Sequence, residues 1–83
     1  MDNLHTKTIK QFYYDTDNGT LCITMLKDKK TKQYEWWGHM VGFCRMEMLF
    51  GGAKIPNRTL QETADYCAYE YYDIILDTME GDD

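Results

Sequence analysis

The stretch TLQETADYCAYEYYDIILDTMEGDD, Thr59 to Asp83, decides the fold. Thr59-Leu60-Gln61-Glu62 reads as a capping box, and Pro56 just before it stops whatever precedes. At about 100° per residue, Leu60, Ala64, Cys67, Tyr71, Ile74, Ile75 and Thr78 fall on one apolar face, predicting a helix over 59–79. That face has to pack on something. Residues 80–83 follow as an acidic tail.

The partner layer lies in the first half of the chain. Lys7 to Tyr14 is rich in Thr, Ile, Phe and Tyr, and Asp15 to Gly19 follows as a turn in which Asn18-Gly19 signals a hairpin. Thr20 to Leu26 alternates, with Leu21, Ile23 and Met25 on one face and Cys22, Thr24 and Leu26 on the other. Lys27 to Lys32 is a polar, basic turn, and a strand over 33–38 completes a meander across 1–38. The reading is a single α+β domain over 1–83: an antiparallel sheet of about three strands under a long C-terminal amphipathic helix.

Residues 39–50, HMVGFCRMEMLF, admit two readings. Strand alternation sets Cys44, Met46, Met48 and Phe50 on one side. Helical spacing aligns Met40, Phe43 and Phe50, with Met46 beside them. Methionine and leucine favour helix and Gly51-Gly52 suits a helix C-cap, whereas Gly38 and Gly42 argue for a strand. A short helix is the preferred expectation.

Composition narrows the class. A chain of 83 residues buries only about 60–65% of its unfolded surface, so its core is small. An apolar fraction of 43% excludes wholesale disorder. No run approaches the ~18 apolar residues of a membrane span, and MDNLHTKTIKQF lacks the apolar stretch of a signal peptide. Three cysteines, Cys22, Cys44 and Cys67, are poor material for a disulfide framework and fit a reducing compartment. The expected location is the cytoplasm.

The net charge of −5 hides a division. Residues 1–58 hold nine Lys/Arg against six Asp/Glu, a net +3, whereas residues 59–83 hold eight Asp/Glu and no Lys or Arg, a net −8. Opposite the apolar face of the predicted helix lie Glu62, Tyr66, Tyr69, Asp73 and Glu80, with Glu70 and Asp77 on the flank. A helix built for stability alone alternates Glu with Lys, gaining a few tenths of a kcal/mol per pair. This one sets Asp73 and Asp77 as like charges. Its last turn and tail carry Asp77, Glu80, Asp82 and Asp83 where the dipole prefers cations, at about 0.3–1 kcal/mol each. A solvated face is the bland account of such a run, and a binding surface is the functional one. Carboxylates one turn apart sit about 6 Å from each other, comparable to neighbouring phosphates. Tyrosines among them suit stacking or anchoring.

In length, acidity and α+β character the chain resembles small acidic phage proteins that inhibit bacterial defence systems, anti-CRISPR proteins among them. The likeness is one of build, without a shared motif, so it assigns no residue roles. It implies an inhibitor acting in the cytoplasm of a bacterial host. The expectation is a non-enzymatic interaction module that acts as a nucleic-acid mimic. Its Glu62, Tyr66, Tyr69, Glu70, Asp73, Asp77 and Glu80 would cover a basic, nucleic-acid-binding surface of a partner such as a nuclease or CRISPR effector.

Other chemistry finds less support. Zinc would need His39, Cys44 and remote Cys22, Cys67 or His5 to converge, and buried structural cysteine is the simpler reading. Cys44 as a nucleophile with His39 as its base would need an exposed, low-pKa thiol. Gly51-Gly52-Ala53-Lys54 lacks the phosphate-loop spacing. No cofactor is expected. The alternative function is a nucleic-acid-binding regulator: Lys27, Lys29, Lys30 and Lys32 with Trp36-Trp37 would hold a single strand, the acidic helix then serving solubility or a homodimer contact. Against it, lysines keep a hairpin tip soluble while tryptophans fill a core. A helical 39–50 would also suggest a helix-turn-helix around GGAKIPNR, but its second helix would bring carboxylates to DNA.

Overall fold

A computed structural model describes residues 7–43, 45–51 and 55–80, with backbone alone considered for 7–9, 79 and 80. Four strands run in chain order, β1 (Lys7–Thr16), β2 (Gly19–Asp28), β3 (Tyr34–Met40) and β4 (Glu47–Gly51), followed by α1 (Leu60–Glu80). The sheet is an antiparallel meander in the order β1-β2-β3-β4. With one helix laid across it, the fold is α+β with four strands rather than about three.

The fourth strand corrects the helical preference for 39–50. His39 and Met40 finish β3, and Val41-Gly42 turns the chain. Gly42 has φ +98°, a conformation that a side chain disfavours and a helix cannot hold. Met40 is then free to enter the core while Phe43 and Met46 stay exposed, so the helical alignment of these residues dissolves. Simple alternation fails too. Trp36 pairs with Phe50 but Trp37 with Met48, so a bulge at Leu49 puts Phe50 under the helix and Met48 on the other face. Gly51 ends β4 rather than capping a helix, and Cys44, Gly52, Ala53 and Lys54 lie outside the described residues.

The first hairpin turns at Asp17-Asn18 and pairs Thr16 with Gly19. At the lysine turn the Asp28 carboxylate accepts from the backbone N–H groups of Lys30 and Thr31, at 2.8 and 3.3 Å. That local network explains why this basic segment forms an ordered turn.

Alternation gives the sheet two different faces. Phe12, Leu21, Ile23, Met25, Trp36 and Met40 point toward α1 and form the core with Ala64, Cys67 and Ile75. Phe12 and Phe50 flank the Trp36 indole at 6.4 and 6.0 Å between ring centroids. The opposite face carries Gln11, Tyr13, Cys22, Thr24, Trp37, His39 and Met48. Cys22 and Thr24 are nonetheless buried there, Cys22 between Tyr13 and His39 in the register and Thr24 between Gln11 and Trp37.

At the helix start the predicted box closes in both directions. Glu62 Oε1 accepts from the Thr59 N–H at 2.9 Å, and Thr59 Oγ1 accepts from the Glu62 N–H at 3.1 Å. Ala64, Cys67 and Ile75 are fully buried, as is Thr63, whose hydroxyl donates to the Thr59 carbonyl. Tyr71, Leu60 and Thr78 are half-buried. Ile74, expected on the inner face, is 47% exposed. The contact follows a ridge of residues four apart through Ala64, Ala68, Tyr72 and Leu76, which winds around the helix and leaves Ile74 behind.

Candidate protein-interaction surface

The helix is positioned by one close approach. A methyl group at Gly38 would stand 2.5 Å from Ile75 Cδ1 and 3.3 Å from Leu49 Cδ1, so Ile75 fills the space a side chain there would need. Two polar ties lock the roll of the helix from the hairpin side. Tyr14 Oη donates to Asp65 Oδ1 at 2.7 Å, and Asn18 Nδ2 donates to Tyr72 Oη at 2.8 Å. Asp65 Oδ1 also accepts from Gln61 Nε2 at 3.0 Å. Burial, followed by the bond to Asp65, holds the Tyr14 phenol well above its ordinary range. Burial likewise pushes the Cys67 thiol up to about 12.

With the roll fixed, the opposite side of α1 is determined. Glu62, Glu70, Asp73 and Asp77 are exposed, and Tyr69 is 84% exposed. Tyr66 is 39% exposed and leans on Tyr71, the rings meeting edge to face at 6.2 Å. Of the seven residues the sequence singles out, six have described side chains, and all six reach solvent along one side of the helix. Glu80 belongs to the last turn of α1, its side chain outside the described set. From Glu62 to Glu80 the stripe runs about 27 Å. Glu62 is partly committed to the capping box, and Tyr66 to its contact with Tyr71. Tyr69, Glu70, Asp73 and Asp77 form the part of the stripe with the greatest freedom.

The helix contains no Lys or Arg, so no intrahelical cation offsets these carboxylates. Its geometry adds two grooves that periodicity alone does not reveal. Toward β1, an open groove of about 470 Å³ lies between Tyr14, Leu21, Asp65, Ala68, Tyr69 and Tyr72. Toward β4, one of about 400 Å³ is lined by Phe50, Ile55, Arg58, Tyr66 and Tyr71. Asp65 escaped the sequence reading because its role depends on Tyr14, 51 residues away.

The other candidate chemistries fall differently. Trp36 is fully buried, whereas Trp37 is half-buried on the far face with its Nε1–H donating to Glu35 Oε1 at 3.4 Å. The two indoles thus point to opposite sides of the sheet and do not form a joint stacking platform. With β4 in place of a helix, the described residues form no helix-turn-helix. Cys22 and Cys67 are buried free thiols. Among the described residues no three His, Cys, Asp or Glu side chains converge as a metal site would require, and Cys44 and His5 lie outside them. No described helix is long and apolar enough to cross a membrane. No protein-family model, curated protein or solved structure matches the chain.

Proposed function

We propose that the protein is a non-enzymatic interaction module whose acidic, tyrosine-bearing helix face covers a basic, nucleic-acid-binding surface of a partner protein. One observation carries the reading: Tyr69 stands 84% exposed among the exposed carboxylates Glu70 and Asp73 on a helix without a single cation. A large ring held in water contributes nothing to the core. It is the kind of side chain that anchors an interface once covered. Carboxylates at one-turn intervals provide the complementary charge, steering a basic groove toward the helix and occupying the places of phosphates. A partner that handles nucleic acid, a nuclease or CRISPR effector, supplies such a groove, and the site of action is then the cytoplasm.

The test is capture from a nuclease-treated bacterial lysate, followed by competition. Under this reading the captured partner is released by salt and by duplex or single-stranded nucleic acid competing for the same groove. Capture that disappears on nuclease treatment, together with a salt-sensitive gel shift by the protein alone, would instead support direct nucleic-acid binding through Lys27–Lys32.

A further inference from the structure

The two grooves beside α1 differ in one chemical respect. The groove toward β4 has Arg58 in its wall, whereas none of the described residues lining the groove toward β1 is Lys, Arg or His. There, three tyrosines surround an apolar floor of Leu21 and Ala68, with the Asp65 carboxylate at the rim. Both walls are braced: Tyr14 by its bond to Asp65, and Tyr72 by the amide of Asn18. Asp65 concentrates its bonds from Tyr14 and Gln61 on Oδ1. Tyr69 follows Asp65 by one helical turn, and its exposed ring forms the outer wall.

We infer that this groove receives an arginine side chain of the protein partner, the guanidinium stacking on Tyr69 and Tyr72 and pairing with the Asp65 carboxylate. The inference rests on the helix-face reading and names the residue type the partner presents. Charge complementarity selects the occupant: tyrosine faces carry negative potential, Asp65 adds a full charge, and no described wall residue repels a cation. Arginine suits it better than lysine, since a planar, weakly hydrated guanidinium can stack on a ring and bond to a carboxylate at once.

The probe is a capped Gly-Arg-Gly tripeptide, followed on the full chain by the ring signals of Tyr69 and Tyr72, with Gly-citrulline-Gly as the uncharged control. The expected result is saturable shifts with the arginine peptide and none with the citrulline peptide. Asp65→Asn keeps an acceptor for Tyr14 but removes the charge. This change and Tyr69→Ala should each weaken binding about fivefold or more. Equal binding of the two peptides, no saturable binding, or indifference to both substitutions overturns the inference. Asp65 lies outside the seven-residue stripe, so the two ideas fail separately. A chain that ignores the arginine peptide yet loses its partner on exchange of Glu70, Asp73 and Asp77 refutes the groove alone.

Discussion

Ile75 packs its Cδ1 into the space above Gly38, and this contact sets the helix against the middle of the sheet. Gly38 lies opposite Ile23 in β2 and Glu47 in β4, so the contact joins three strands to the helix at one point. With Ile75 facing inward here, Tyr69, Glu70 and Asp73 face solvent.

Gly38→Ala should therefore destabilise the protein by about 1–3 kcal/mol, because its methyl forces Ile75 or Leu49 to move within a packed core. Ile75→Asp should unfold the domain, since an unpaired carboxylate would replace a fully buried side chain. Urea denaturation followed by circular dichroism measures both. A cooperative fold in the Asp variant would refute the packing described.

Alkaline stability supplies a second prediction. Cys67 has its thiol raised from 9.0 to about 12, and the Tyr14 phenol lies above its ordinary 10.0. Both native groups hold their protons more tightly than in the unfolded chain. The stability they confer is complete below the unfolded values and declines as pH rises from 9.0 upward. The melting temperature should fall over this range, and Tyr14→Phe with Cys67→Ala should make the fall shallower. An unchanged slope in the double variant would contradict the assignment.

Thiol accessibility gives a third. Cys22 and Cys67 should resist alkylation at about pH 8 in the native protein and react once it is denatured, when three thiols titrate in total. Peptide mapping after a short iodoacetamide pulse distinguishes the sites. Rapid native labelling of Cys67 would mean that the helix lifts from the sheet.

The helix and the first two strands were legible because their signals are local. A capping box, an apolar period and strict alternation over Thr20–Leu26 each involve residues close in sequence. The outward placement of Tyr69, Glu70 and Asp73 followed from the same periodicity. Residues 39–50 misled because methionine and leucine suit helix intrinsically, and the decisive facts are tertiary: the partner strand β3 and the bulge at Leu49. Ile74 was misplaced because a single angular average ignores the slant of the helix ridge across the sheet. The groove beside β1 was invisible because Tyr14 and Asn18 reach Asp65 and Tyr72 from 51 and 54 residues away.

The exposed rings give a fourth prediction. Tyr69→Ala should weaken partner binding by more than about 1 kcal/mol while leaving stability within about 0.5 kcal/mol, since its ring is solvated in the free chain. Tyr66→Ala should also cost affinity, but with some loss of stability because it removes the edge-to-face contact with Tyr71. Calorimetric titration and urea denaturation of each variant separate the two effects.

The most direct test replaces Glu70, Asp73 and Asp77 together by Lys. Each exchange shifts the charge by two units, moving the chain from −5 to +1. All three side chains are exposed, so the fold should persist, and a cation at position 77 suits the end of the helix. The measurement is the partner's dissociation constant for the original and triple-Lys chains as a function of salt. Binding by the original chain should weaken steeply with salt, and the triple-Lys chain should not bind. Unchanged affinity and salt dependence in the folded triple-Lys chain would contradict it and reduce the acidic stripe to a solvated face.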